Sequence, residues 1–358
     1  MAIAVLAALF VHEGGTVVFV MGGWRLLDLM VRYVNMTMCQ YRIPTNTVQL
    51  RRIADAKDIP ANHTHEPAIE ISFVKPAGFH YSPGQFVQIA IPSISIFEFH
   101  PVSLSSAPHE EYVTMHLRDR GDWTHKLVQL TDNKTSTAVW MQGPYGSLSV
   151  DIHDTHRYQM VLLLCAGIGV TPIQSIGKAI LYDHQHQNRP LRYMNMVWVV
   201  RDMNIVNDLP PLGFDCNDQL SNDGSNVQID IYCTRTKETC DEKRDAEAGQ
   251  QSSNTATGGE NNKSSYNVHY GQRPDLNVIF EQTKQRANEM GEYNIAVFAC
   301  GPSTFLTDIQ MACRTYSQAS IGCHNNTYKT YQGRNKRPCW YSREKRSEER
   351  RVGKECRP

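Results

Sequence analysis

The residues from Val161 to Ser175, VLLLCAGIGVTPIQS, carry the most explicit chemical signal in the chain. An apolar run stops at Ala166-Gly167-Ile168-Gly169, and a helix-forming segment starts near Thr171-Pro172. That order predicts a strand, a glycine turn and a helix. Glycine lets a phosphate reach backbone from which a side chain would hold it away. Thr171 is expected to cap the helix, and Pro172 suits its first turn, where a missing N–H costs nothing. The free amides at the helix start, together with its dipole, then form an anion site.

Two stretches nearer the N-terminus carry groups of a related kind. His100-Pro101-Val102-Ser103 leads into Leu104-Ser105-Ser106. A strand that enters with His and Pro and leaves with hydroxyls offers a phosphate donor and small polar groups beside a ring system. Met115-His116-Leu117-Arg118 is followed by Gly121-Asp122-Trp123-Thr124. Gly121 permits a turn, Arg118 can add a charge-assisted contact, and Thr124 at a helix N-terminus can hold a pyrophosphate. Each has an ordinary reading beside it, as a strand with serines toward solvent or a lone surface Arg or Thr. The sequence shows no Ser-His-Asp pattern, no paired carboxylates and no metal-ligand spacing.

These groups must be held by two kinds of element. From Thr47 to Gln142 short alternating runs are punctuated by Pro, Gly and Asn/Asp, the pattern of a small antiparallel barrel. Its strands are expected at Val48 to Ile53, Ala68 to Val74, Phe86 to Ile91, Val102 to Ser106, Tyr112 to Leu117 and Thr137 to Met141, with one helix at Trp123 to Leu130. After Gly143-Pro144-Tyr145-Gly146 the pattern becomes α/β. Strands at Met160 to Cys165, Met194 to Val200, Val227 to Cys233 and Ile295 to Cys300 alternate with helices at Pro172 to His184, Leu276 to Met290 and Ser303 to Arg314, which implies a parallel sheet. Lys237 to Asn267 is polar with almost no large apolar residue and reads as a disordered surface insertion.

At 358 residues the chain is long enough for two domains, and 41% hydrophobic residues suit a folded protein. Ten cysteines without pairing motifs point to reduced thiols rather than a disulfide framework. Eleven Lys/Arg lie from Lys329 to Pro358, leaving 25 basic and 32 acidic residues in the rest. A nucleic-acid patch would rest on that tail alone, so no nucleic-acid partner is expected. The stretch Arg346 to Cys356 reads as the translation of a sequencing adapter, with a natural basic tail as the alternative. At the other end, Val17 to Trp24 is apolar, Arg25 and Asp28 interrupt it, and Arg32, Arg42, Arg51 and Arg52 follow. This reads as the end of a membrane domain with its last helix leading into the cytosol. A signal peptide and an amphipathic N-terminal helix are the competing readings.

The motifs PSISIFEFHPVSLSSAP, LRDRGDWT, GPYG, LLLCAGIGVTP, VWVVRD, GQRPD and FACGP follow in that order from Pro92 to Pro302. In sequence and order they resemble the dehydrogenase region of NADPH oxidases and their ferric reductase relatives. The resemblance implies an α+β multidomain chain: an antiparallel Greek-key FAD-binding barrel over 37–150, then a Rossmann-like parallel-sheet NADPH domain over 151–319. A transmembrane remnant over 1–36 and an aberrant tail over 320–358 flank them. It implies that His100, Pro101, Val102 and Ser103, with His116, Leu117, Arg118, Gly121, Trp123 and Thr124, hold FAD, Ser103 lying beside the flavin ring. Gly167, Ile168, Gly169, Val170, Thr171 and Pro172 match the NADPH pyrophosphate loop. Cys300-Gly301-Pro302 matches the segment beside the nicotinamide, where the thiol helps set hydride-transfer geometry; a buried core thiol is the alternative.

Arg201 and Arg235 follow strands of the second domain, and an Arg there favours a 2′-phosphate, although Asp202 stands directly behind the first. NADPH is expected over NADH. Haem is implied only for membrane helices upstream, and either oxygen or ferric iron for the final acceptor. The implied location is a membrane, with the FAD and NADPH domains in the cytosol. A non-catalytic fragment that keeps the fold is the rival. The chain departs from the family pattern in four places: at Val102, usually aromatic; at Cys165, commonly glycine; at the added Gln272; and in having no counterpart to the C-terminal aromatic that covers the flavin.

Overall fold

The computed structural model describes residues 15–37, 41–53, 67–148, 150–152, 154, 156–213, 226–235, 266–318 and 327–332. Helix α1 (Gly15–Thr37) comes first. Arg25 and Asp28 fall inside it one turn apart, with Arg25 Nη1 3.5 Å from Asp28 Oδ2. Trp24, Leu26, Leu29 and Met30 are exposed on either side of that pair. No helix among the described residues is long and apolar enough to cross a membrane. The transmembrane remnant expected over 1–36 is thus not seen among the described residues, where Arg25, Asp28 and Arg32 all fall within the helix.

The first lobe is built from β1 (Tyr41–Ile43), β2 (Gln49–Ile53), β3 (Ala68–Val74), β4 (Phe86–Ala90), β5 (His100–Ser103), β6 (Tyr112–Arg118), α2 (Asp122–Asp132) and β7 (Val139–Tyr145). Two antiparallel sheets, ordered β1-β7-β4-β5 and β2-β3-β6, are joined by a bridge between Leu104 and Met115. Period-2 alternation sends Ile69, Ile71 and Phe73 of β3, with Val113 and Met115 of β6, into the barrel core. The residues between them, Glu70 and Ser72 on β3 and Thr114 and His116 on β6, belong to the opposite face.

The second lobe contains β8 (Met160–Ala166), α3 (Val170–His186), β9 (Tyr193–Val200), α4 (Asn204–Asp208), β10 (Asn226–Cys233), β11 (Asn267–Tyr270), α5 (Leu276–Met290), β12 (Asn294–Cys300), α6 (Ser303–Gln318) and β13 (Thr327–Gln332). All its pairings are parallel, in the order β11-β10-β9-β8-β12-β13. Strands β8, β9 and β12 are apolar along most of their length because they are covered on both faces. The Asp275 side chain caps α5 by accepting from Asn277 N–H, and Gly291 ends it in the left-handed region.

Most of the expected insertion, and all of the adapter-like stretch, lie outside the described residues. Three short strands lie outside those read from the sequence: β1 precedes the first expected barrel strand, and β11 and β13 fall in segments read as insertion and tail. Asn267 opens β11 instead of closing the insertion, and Thr327–Gln332, taken as part of an unpatterned tail, pairs in parallel with β12. Two Thr-Tyr pairs, Thr327-Tyr328 and Thr330-Tyr331, give that segment its β propensity.

A polar seam, buried at Ser175, joins the two lobes. Ser175 Oγ of α3 donates to the Ser106 carbonyl at 2.7 Å and accepts from Gly84 N–H at 3.2 Å. Lys178 pairs with Glu110 at 2.9 Å, and the Tyr182 ring lies between those of His109 and His186.

Candidate functional site

Strand order in the parallel sheet reverses at β8, whose neighbours are β9 and β12. Such a switch point leaves a crevice beyond the strands' carboxyl ends, where open α/β sheets take their ligands. A cleft of about 790 Å³ lies there, closed on its far side by β5 and β6 of the barrel. Gly167, Ile168, Gly169, Thr171, Pro172, Arg201, Cys300, Gly301 and Pro302 border it from the sheet side. Pro101, Val102, Ser103, His116, Leu117 and Arg118 border it from the barrel side.

Close backbone approach explains the glycines. A Cβ on Gly169 would lie 2.6 Å from the Cys300 carbonyl oxygen and 2.9 Å from its carbon. One on Gly301 would lie 3.0 Å from the Phe305 ring and 3.1 Å from Ala166 Cβ. The turn after β8 and the turn after β12 are thus packed backbone to backbone. Gly167 adopts φ +55°, a conformation open to glycine at little cost, and the Arg118 guanidinium lies against it from the barrel. From below, the fully buried Trp198 donates its indole N–H to the Gly167 carbonyl at 3.0 Å.

Register sets a second arrangement on the barrel wall. Arg51, Glu70 and His116 are cross-strand neighbours on β2, β3 and β6. Arg51 Nη2 donates to Glu70 Oε2 at 2.7 Å, and His116 Nε2 lies 3.2 Å from the same oxygen. The His116 hydrogen bond, then that from Arg51, holds the Glu70 carboxyl down at about 2 against the opposing effect of burial. Burial pushes the His116 imidazole below its ordinary value despite the carboxylate beside it. At neutral pH the pair is therefore a carboxylate and an uncharged ring.

Several expected residues do other work. No side chain caps α3. Gly169 occupies the cap position in a right-handed helical conformation, so the helix starts directly from the turn and the Thr171 hydroxyl bonds back to the Ile168 carbonyl at 3.2 Å. Thr124 Oγ1 accepts from the N–H groups of Arg120 and Gly121 and lies 3.0 Å from Asp119 Oδ1. It closes its own turn and does not line the cleft. Trp123 is buried against the His100 ring, with centroids 4.1 Å apart. Neither of those rings, nor Gly121, borders the cleft. Val170 is core, and Arg235 pairs with Asp202 at 3.6 Å away from the cleft. Cys165 is fully buried, and burial pushes its thiol well up.

Sequence reasoning also left out residues that the cleft contains: Arg120, Arg273, Thr304, Phe305 and Asp308. Arg273 belongs to GQRPD, so the motif was in view but not its guanidinium. With Arg118 and Arg201, Arg120 and Arg273 make four guanidinium groups around the cleft against one carboxylate, Asp308. That balance suits a polyanionic ligand. Among the described residues, no group of His, Cys, Asp and Glu is placed to hold a metal ion.

Comparison with known proteins agrees with this layout. Residues 53–149 match the family model for an FAD-binding domain, and residues 158–314 that for the ferric reductase NAD binding domain. The chain is 28% identical to NADPH oxidase 3 from Homo sapiens over 276 residues, which covers 72% of this chain and 45% of that one. It is 25% identical to dual oxidase 1 from Rattus norvegicus over 295 residues, covering 78% and 18%. It is 29% identical to respiratory burst oxidase homolog protein D from Solanum tuberosum over 274 residues, covering 65% and 30%. The chain thus spans less than half the length of these curated relatives. Among solved structures, a ferredoxin NADP+ reductase from Neisseria gonorrhoeae aligns with TM-score 0.44 and 15% identity, over 79% of this chain and 98% of that one. With an FAD-binding domain and a ferric reductase NAD-binding domain in succession, the chain belongs to the NADPH oxidase and ferric reductase family, whose dehydrogenase region it carries.

Proposed function

We propose that the chain takes a hydride from NADPH onto bound FAD and passes the electrons on, as the dehydrogenase part of an oxidase. The observation that carries this reading is the single cleft shared by the glycine turn, Cys300 and the barrel strands β5 and β6. The residues fit the two nucleotides: a left-handed glycine at Gly167 on the cleft wall, four arginines for phosphates, and a buried ring nitrogen at His116 without a hydrogen-bond partner among the described residues. When bound, FAD supplies the two-electron acceptor and one-electron donor chemistry that no side chain can.

The protein's part is to bind, orient and exclude water. Arg118 and Arg120 neutralise phosphate on the barrel side, and Arg201 and Arg273 on the sheet side. Ser103 offers its hydroxyl on the barrel wall, facing a cleft that Cys300 borders from the end of β12. In this reading Arg201 serves the 2′-phosphate, while Arg235, neutralised by Asp202, contributes less. Oxygen as final acceptor is supported by the relatives' names, and ferric iron is the weaker alternative. Haem and membrane attachment enter as expectations of the family, through the portions of those relatives that the match leaves uncovered.

The test is the spectrum of the purified chain. Flavin absorbance that bleaches when NADPH is added without air is the expected result. A colourless protein that stays colourless with added FAD overturns the enzyme reading and leaves the non-catalytic fragment.

A further inference from the structure

We infer that Glu70 is a positioning residue for flavin binding, acting through His116, and that Arg51 ties this pair to the second lobe. The three side chains form one row across β2, β3 and β6. Glu70 is an acceptor only, so the His116 nitrogen facing it must carry the proton. That fixes the ring as the Nε2–H tautomer and leaves Nδ1 with a lone pair. Nδ1 is buried and has no hydrogen-bond partner among the described residues, while the residue itself borders the cleft. A buried acceptor left unpaired is costly, so the site calls for a donor. The ligand group that fits is a hydroxyl or N–H of a flavin nucleotide, which rests on the reading of the cleft given above.

The row does not stop at the barrel. The nitrogen of Arg51 that donates to Glu70 also lies 3.3 Å from the carbonyl of Asp208, the last residue of α4 in the second lobe. A change in lobe spacing is thereby transmitted to the carboxylate that orients the ring. Lys178 and the Arg51 cation are the other charges near His116, and neither accepts a hydrogen bond from its ring.

The experiment is a double-mutant cycle on the full chain, read as the dissociation constant for FAD. Glu70→Gln lets the amide donate to Nε2, so the ring can turn to the Nδ1–H tautomer. The expected loss is about tenfold in affinity, in line with one buried polar atom left without its partner. In a His116→Phe background the same change has no further effect, because the residue through which it acts is gone. Additive losses overturn the inference, since a merely structural Glu70 would weaken both backgrounds alike. Histidine-selective nitrogen NMR of the unsubstituted chain reads the tautomer directly, and an Nδ1–H signal for His116 also overturns it. If that chain binds no FAD, the flavin reading fails, while the NMR result still decides whether Glu70 fixes the tautomer.

Discussion

Gly169→Ala separates close packing from every other property of the glycine turn. Gly169 has φ −62°, so alanine brings no backbone strain there. Reduced freedom in the unfolded chain would even stabilise the variant by about 0.4–1 kcal/mol. Against this stands the Cys300 carbonyl, 2.6 Å from the added methyl where ordinary contact begins at 3.4 Å. The two turns must part by roughly 0.8 Å, and both neighbours are backbone that cannot swing aside. Overpacking of this kind costs about 1–3 kcal/mol, so a net destabilisation of about 1–2 kcal/mol is expected. The larger effect falls on rate. A misplacement near 1 Å at a reacting centre costs on the order of 100-fold, and Cys300 and the glycine turn are the two walls being moved apart. The assay is stopped-flow bleaching of bound flavin by NADPH, with urea unfolding and flavin content measured on the same sample. Expected are a fall in the bleaching rate of roughly 10- to 100-fold and an unchanged flavin content, since the barrel is untouched. A variant that bleaches within about twofold of the original rate would refute the claim that this approach sets the geometry, because twofold is only about 0.4 kcal/mol.

Other substitutions probe separate contacts. Trp198→Phe removes the donor to the Gly167 carbonyl at 3.0 Å and leaves the ring in place, so KM for NADPH should rise about tenfold with flavin content unchanged; equal losses in both would assign Trp198 to stability alone. Ser175→Ala strips the Gly84 N–H and the Ser106 carbonyl of a shared partner across the lobe boundary, and urea unfolding should show a loss of about 1–3 kcal/mol. Arg201→Glu should raise KM for NADPH far more than KM for NADH, and equal changes would remove Arg201 from 2′-phosphate recognition. Acid should destabilise the fold in two steps. The depressed His116 keeps its ring neutral while the unfolded chain takes a proton, so stability falls as pH drops below 6.5, by at most about 1.4 kcal/mol per pH unit. The Glu70 contribution is present above 4.5 and is lost as pH falls toward about 2. Its size is about 3 kcal/mol before solvent screening and roughly half that after. Urea midpoints measured from pH 7 to 5 should flatten in His116→Phe, and an unaltered slope would assign that titration to another group.

What the sequence made legible depends on whether the signal was local. Leu162, Leu163 and Leu164 run straight into Gly167, and that alone places the end of a doubly covered strand and its turn. Thr124 misled as a ligand and Thr171 as a cap because a hydroxyl near a helix start can bond its own backbone instead. Arg273 was visible inside GQRPD, yet only the fold brings the loop before α5 against the carboxyl ends of β8 and β12. The Arg51–Glu70–His116 row lay furthest from view. Its last two members stand 46 residues apart, and what joins them is the antiparallel register that pairs Ile69 with Leu117 and Ile71 with Met115. In a sheet whose side chains alternate, a slip of one residue would carry Glu70 into the barrel core and Ile71 out to the cleft face. The apolar residues of β3 and β6 therefore select the register by burying themselves, and the alignment of an acid with a buried histidine follows from hydrophobic packing on the opposite face. A site held in this way is encoded by the residues that never touch the ligand, and for that reason no motif contains it.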